Sequence, residues 1–381
     1  MKRDAAIKLF QKKRKAYEKA TGKHMFDPFA VLAQNCKYNF VYGERSNGKT
    51  YGALFVAMLD YVTLGRPFAI VRRYHEDLVR RRAVRLFDPL IKDNWVYLLT
   101  DGEWDGIYYN GGMWYLSRQL DGGKEEHSKA PFAYAYELTA QEHDKSSGDL
   151  PYKNIVFDEA ISRNYLIDEF VLFMNTCSTI IRNKTDVIIW MCGNTINPYG
   201  CPYFREMGLK HAREMQPGAM EVYTYGQSQL QVCVCRTEPS GDKSSSAFYF
   251  AFDNPKLNMI TGGDWEIDIY PHIPHKIRPA DVRFNFFIKY EEELLHCKVI
   301  KQDNAEYIIV HPKTTELQQP DKELVFCLKA DPRRNWYQYI NKPANKKMTR
   351  IWQLFTLGKV FYSDNMTGEV MRNYLDICAA A

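Results

Sequence analysis

Gly43-Glu44-Arg45-Ser46-Asn47-Gly48-Lys49-Thr50 has the form GxxxxGK[ST], a pattern whose residue types suit a polyphosphate. Gly43 and Gly48 free the backbone to turn its N–H groups inward around Ser46 and Asn47. Lys49 brings a cation to the β- and γ-oxygens, and the Thr50 hydroxyl is a hard oxygen ligand for Mg²⁺. ATP and Mg²⁺ are the expected ligands. A second unit, Asn154-Ile155-Val156-Phe157-Asp158-Glu159, ends an apolar run in two carboxylates. There Asp158 would support the metal, and Glu159 would orient or deprotonate an attacking water. The apolar run 187–192 leads into Gly193-Asn194, where the Asn194 amide either senses a γ-phosphate or merely closes a strand. Arg182, in the Arg182-Asn183-Lys184 loop before that run, is a candidate arginine finger toward a neighbouring subunit.

These groups need a scaffold that holds them at one edge. The glycine loop follows a β-type run at 39–42 and precedes a helix with Ala53, Val56, Ala57 and Leu59 at helical spacing. Further strands are expected at 67–71, near 114–116, at 154–157 and at 187–192, with a β-hairpin excursion over 101–123. Alternating strands and helices predict an α/β fold with a largely parallel central sheet. Beyond about residue 230 the texture changes. Strands at 283–289, 296–301, 306–310 and 324–328, with helical segments around Trp336 and over 348–355, predict a smaller α+β domain. The expected organisation is an N-terminal nucleotide domain over 1–230, a linker over 231–250 and a C-terminal domain over 251–381. Residues 1–30 form a basic helical extension of the first domain.

With 45% hydrophobic and 25% charged residues, the 381-residue chain is globular and long enough for two domains, which excludes disordered, collagen-like and disulfide-scaffold classes. Its formal charge of +5 provides no global field for polyanions, so a nucleic-acid surface has to come from local clusters. Arg72, Arg73, Arg80, Arg81, Arg82 and Arg85 form the densest cluster. Arg80, Arg81, Arg82 and Arg85 are candidate DNA contacts, the alternative being a solvated helix face. Lys342, Lys346, Lys347 and Arg350 form a second group, and the basic N-terminal helix is either another solvated face or a phosphate contact. Asp264, Glu266 and Asp268 alternate as the acids of one strand face would, and His272 and His275 lie in a proline-stiffened loop. Nine scattered cysteines suggest reduced thiols. No apolar run reaches the roughly 18 residues of a membrane span, so a host-cytoplasmic protein without membrane contact is expected.

In its motifs the sequence resembles the double-stranded-DNA packaging ATPases of small short-tailed phages whose motors carry a packaging RNA, relatives of terminase large subunits. The likeness rests on Phe40-Val41-Tyr42-Gly43 leading to Gly48-Lys49-Thr50-Tyr51, on Val71-Arg72-Arg73-Tyr74, on Ile155 through Glu159, on Ile181-Arg182-Asn183, and on Asn197-Pro198-Tyr199 with Pro202-Tyr203-Phe204. His75 stands where the family tends to have lysine. The resemblance implies an ASCE-type P-loop NTPase followed by an RNase H/nuclease-like domain without its metal-binding acids. It also implies that Arg182 acts in trans and that Lys145 assists communication or nucleotide exchange between subunits. The expected partners are double-stranded DNA, further copies of the chain in a homopentameric ring, the portal or connector of a capsid, and a packaging RNA. The expected function is ATP-driven translocation of viral DNA into a preformed capsid, at the portal vertex. A packaging terminase with an active nuclease and a nucleotide-gated adaptor on nucleic acid are the alternatives.

Overall fold

The computed structural model describes residues 1–139, 150–197, 199–227, 229–240, 265, 267–302 and 305–381. Contacts divide the chain into two units, Met1–Trp265 and Glu266–Ala381. The first strand, β1 (Tyr38–Gly43), is buried at every position, as a strand covered on both faces must be. It lies in a sheet ordered β3-β4-β6-β2-β7-β8-β1-β10-β9, with β5 (Glu125–His127) paired to β4. The six central strands run parallel: β6 (Ala133–Glu137), β2 (Phe68–Arg72), β7 (Asn154–Asp158), β8 (Ile188–Asn194), β1 and β10 (Leu230–Arg236). Antiparallel strands finish both edges, β9 (Met220–Tyr225) on one side and the β3 (Gly106–Asn110) and β4 (Met113–Gln119) hairpin on the other. The hairpin turns on Gly111 and Gly112, both at positive φ, as a two-residue turn of the I′ type demands.

The hairpin expected over 101–123 is present, and the strand expected near Trp114 is one of its antiparallel arms. Two other expectations change. β6, absent from the expected strands, is a parallel neighbour of β2 on the side away from β7, and its Ala-Tyr-Ala-Tyr sequence lacks the β-branched residues of β2 and β7. The linker expected from residue 231 begins inside β10, whose Cys233 and Cys235 are buried beside β1, so the first unit extends past residue 230.

Helix α1 (Arg3–Thr21) precedes a short α2 (Pro28–Leu32), α3 (Lys49–Leu64) follows the glycine loop, and the short helices α4 (Arg80–Ala83), α5 (Asp88–Lys92) and α6 (Trp95–Leu99) follow β2. Positions 52–60 of α3 are all buried, because the sheet covers one side and α1 packs over the other. Phe10 of α1 meets Phe29, Tyr51, Phe55 and Trp95, with ring centroids 4.4–6.2 Å apart within this group. Asp60 is buried on α3 with its charge answered by Arg3 and by a 2.8 Å hydrogen bond from Asn154 of β7. All nine cysteines are buried free thiols.

The second unit holds a sheet ordered β15-β14-β11-β12-β13-β16. Strands β11 (Val282–Tyr290), β12 (Glu293–Gln302) and β13 (Ala305–Pro312) form an antiparallel meander, while β14 (Val325–Cys327) and β15 (Trp336–Gln338) add parallel to β11. Those five strands have the order and sense of an RNase H-type sheet, and β16 (Val360–Tyr362) extends it beside β13. Trp336 is therefore in a strand rather than a helix. The expected acidic strand face is not a strand at Asp268, which lies in coil and pairs with Arg372, while Asp264 and Glu266 are outside the described residues. His272 and His275 bond Asn365 and Gln302 at 3.0 and 2.8 Å.

Candidate nucleotide site

β1 delivers the chain into the glycine loop at the C-terminal edge of the parallel strands. Gly43 and Gly48 are needed for different reasons. A Cβ on Gly43 would overlap the Thr237 hydroxyl, whereas Gly48 has the left-handed φ of 86° that starts α3. Ser46 also takes a left-handed φ, 66°. The Lys49 ammonium is buried in the loop, donating to the Gly43 carbonyl at 3.2 Å, the Glu44 carbonyl at 2.5 Å and Asn47 Oδ1 at 3.0 Å. Residues following β10 fasten down the loop. Asn47 donates to Thr237 Oγ1, and buried Glu44 accepts from the Ser240 amide at 2.6 Å and its hydroxyl at 3.2 Å. The sequence gives no local sign of this contact, because the partners lie almost 200 positions apart.

The acids arrive on β7, with β8 inserted between it and β1. Thr50 Oγ1 donates to Asp158 Oδ1 at 2.5 Å. This hydroxyl–carboxylate pair is the hard oxygen set that suits Mg²⁺. Glu159 follows in the left-handed region at φ 62°, a costly conformation for a non-glycine residue, with its side chain 60% exposed. Gly193 makes room for the turn after Glu159, since a Cβ there would stand 2.6 Å from Ile161 Cγ1. Asn194 is level with Gly43 on the adjoining strand, at the head of the loop.

Arg72, at the end of β2, spans both acids. Its guanidinium lies 2.6 Å from Asp158 Oδ2 and 3.1 Å from Glu159 Oε2. Burial works against the Arg72 charge, but Asp158 and Glu159 more than offset it and hold its pKa above the ordinary arginine value. Arg73 points elsewhere. It makes a buried bidentate pair with Glu169, both contacts at 2.7 Å, and the Tyr203 hydroxyl donates to the same carboxylate at 2.8 Å. These two arginines therefore stand apart from the rest of the arginine cluster: one joins the nucleotide site, the other ties β2 to α7 (Glu169–Ile181).

Arg182 is not at this site. It ends α7 with an exposed side chain and a strained backbone at φ 47°, ψ −117°, ahead of β8. The loop and acids are at the far end of β8, whose seven residues span about 20 Å. Close by, Asp186 is gripped by Arg66 and by Lys153 Nζ at 3.3 Å, which fixes the start of β8 and the loop carrying Arg182. The Arg66 hydrogen bond, outweighing burial and joined by Lys153, drives the Asp186 carboxyl far below the usual range. Neither Arg66 nor Asp186 stands out in the sequence. Lys145 lies outside the described residues.

Arg80, Arg81 and Arg82 form a short exposed helix, α4 (Arg80–Ala83), with Arg85 exposed one turn later. Arg82 pairs with Asp77 at 3.0 Å and Arg80 lies over the Tyr108 ring. In the second unit, Arg350 pairs with Glu306 at 2.6 Å and Lys347 lies over Phe284.

A glycine loop entering a helix, an acid-bearing strand separated from it by one strand, and Asn194 on that intervening strand define a P-loop NTPase fold of the ASCE type. Over residues 22–210 the sequence matches the family of podovirus DNA encapsidation proteins (Gp16). It is 25% identical over 181 residues to the DNA packaging proteins of Bacillus phages PZA and phi29, an alignment covering 46% of this chain. The chain thus spans about half the length of these curated relatives, 48% of each. The fold is also that of a solved chain from the bacteriophage phi29 genome packaging motor assembly, with a TM-score of 0.53 and 18% identity over 93% of this chain and 98% of that one.

Proposed function

We propose that this protein is an ATP-driven motor that moves double-stranded viral DNA into a preformed capsid, working as a ring of copies at the portal vertex in the host cytoplasm. The observation that carries the reading is the Thr50–Asp158 contact, with Lys49 enclosed by the loop and Glu159 one residue beyond Asp158. Thr50 and Asp158 would hold Mg²⁺, whose charge offsets that of the phosphates when bound. Lys49 exchanges its carbonyl acceptors for β- and γ-oxygens, Gly43, Ser46, Asn47 and Gly48 shape the loop around them, and Asn194 contacts the γ-phosphate. Glu159 positions the attacking water and takes its proton. Arg182, about 20 Å from the site of its own subunit, stabilises the transition state in the next one. A homopentamer, a portal and a packaging RNA belong to the same reading, with Lys145 assisting exchange between subunits.

The exposed arginines Arg80, Arg81, Arg82 and Arg85 are assigned to DNA phosphates. The second unit is read as a nucleic-acid contact rather than a nuclease, because β11, the first strand of its RNase H-type order, has the sequence Val-Arg-Phe-Asn-Phe-Phe-Ile-Lys-Tyr and no carboxylate. The ATPase rate measured with and without duplex DNA over a salt series tests the proposal. Stimulation by DNA that fades with salt supports a motor. An ATPase indifferent to DNA at every salt concentration would leave the adaptor reading instead.

A further inference from the structure

Helix α1 precedes the region matched by the family, and its outward face has no part in the nucleotide site. Its 19 residues hold seven basic side chains against Asp4 and Glu18, a balance of +5. The whole chain also carries +5, so the remainder of the sequence is neutral and the excess charge belongs to this helix.

The charges are not spread evenly around it. Lys8, Lys12, Lys15 and Lys19 follow one another by four, three and four residues, which at 100° per residue confines them to a band of about 60° over about 16 Å of axis. All four are exposed and, among the described residues, make no ion pair or hydrogen bond. The other cations of α1 are engaged: Arg3 with Asp60, Lys13 with the Asp93 carbonyl at 2.8 Å, Arg14 with Glu18 at 2.8 Å. Asp4, one turn before Lys8, is the one acid of the helix at the edge of the band.

The opposite side is anchored: Phe10 sits within the aromatic group of Phe29, Tyr51, Phe55 and Trp95, and Ala6 is buried. Beside the band, Gln11 donates to both Asp27 oxygens at 2.8 Å. The lysine row is thus presented by a helix held along its length. With its apolar side used in the core, α1 has nothing to insert into a lipid surface. A single strand is disfavoured too, because the band contains no aromatic ring for bases to stack on; Tyr17, nine residues from Lys8, projects half a turn away. A duplex, with one phosphate charge per about 1.7 Å of axis, offers several charges along the length of the row.

We propose that Lys8, Lys12, Lys15 and Lys19 form a sequence-independent docking ridge for the phosphate backbone of duplex DNA, a second contact in addition to the arginines of α4. The inference rests on the proposed DNA substrate. Its test is fluorescence anisotropy with a mixed-sequence duplex DNA from 50 to 200 mM KCl, comparing the full-length protein with Lys8→Gln/Lys12→Gln/Lys15→Gln/Lys19→Gln and with the fourfold Lys→Arg variant. The Gln variant is expected to lose about 0.9 of log–log salt slope for each phosphate contact removed, about 3.6 for all four, while the Arg variant keeps the slope. ATPase activity without DNA stays at the wild-type rate in both.

Wild-type DNA binding with an unchanged slope in the Gln variant overturns the ridge and leaves the motor reading standing. No wild-type binding to duplex DNA at any salt overturns both. A loss seen with duplex RNA or anionic phosphatidylserine vesicles, but not with DNA, overturns the choice of partner. Should the fourfold variant fail to fold by circular dichroism, Lys12→Gln and Lys15→Gln singly must each lower the slope by about 0.9, and unchanged slopes count against the ridge.

Discussion

Arg72 joins Asp158 and Glu159 through one guanidinium, at 2.6 and 3.1 Å, so the acid proposed to support the metal and the acid proposed to position water share a single counter-charge. Arg72→Lys keeps a charge but loses the planar fork that reaches both carboxylates. It should leave the fold intact and reduce ATP turnover. Arg72→Ala should also destabilise the first unit, by about 2 to 3 kcal/mol, short of the full cost of a broken buried pair because Glu159 faces solvent. Urea midpoints and ATPase rates for the two variants separate these effects, and equal turnover in all three proteins would remove Arg72 from the site.

Lys49→Ala and Glu159→Gln should fail differently. The first removes the cation enclosed by the loop and should abolish tight ATP binding. The second keeps that cation and should bind ATP while losing turnover by about 10²- to 10⁴-fold, as expected when a positioned base is removed. A fluorescent ATP analogue and single-turnover hydrolysis give the comparison, and normal affinity in Lys49→Ala would overturn the loop assignment.

Because Arg182 is remote from its own loop, Arg182→Ala should bind ATP almost normally and lose hydrolysis by about 10³-fold or more. Mixing Arg182→Ala with Glu159→Gln subunits then creates interfaces that pair an intact pocket with an intact arginine. Some ATPase should return. Assembled mixed rings that stay inactive would rule out action in trans.

Asp186 gives a pH-dependent prediction. Its pKa is depressed in the folded protein, so its contribution is complete above the ordinary value of 3.8 and is lost as pH falls below it toward the folded value. Asp186→Asn should therefore melt at a lower temperature than wild type at pH 7, with the gap narrowing as pH drops below 3.8. With half of the Asp186 side chain exposed, the gap should be small. A gap independent of pH would mean that the Arg66 and Lys153 contacts do not set the difference.

Local pattern was sufficient for much of this molecule. The glycine loop, the apolar strand ending in Asp158 and Glu159, and the β11–β13 meander each announce themselves within a few residues, because backbone reach, turn geometry and residue alternation are short-range properties. Tertiary structure alone decided which neighbours these pieces acquire. Strand β6 could enter the parallel sheet without a β-branched sequence because β2 and β4 supply its hydrogen bonds on either side. Arg72 and Arg73, adjacent in sequence, parted company because successive strand side chains leave opposite faces, one toward the acids of β7 and the other toward Glu169 of α7. The lysines of α1 could be counted from the sequence, but only the packing of Phe10 determines which side of the helix is buried and so leaves that row facing water. A side chain's partner depends on contacts between distant segments, and those exist only once the sheet has closed.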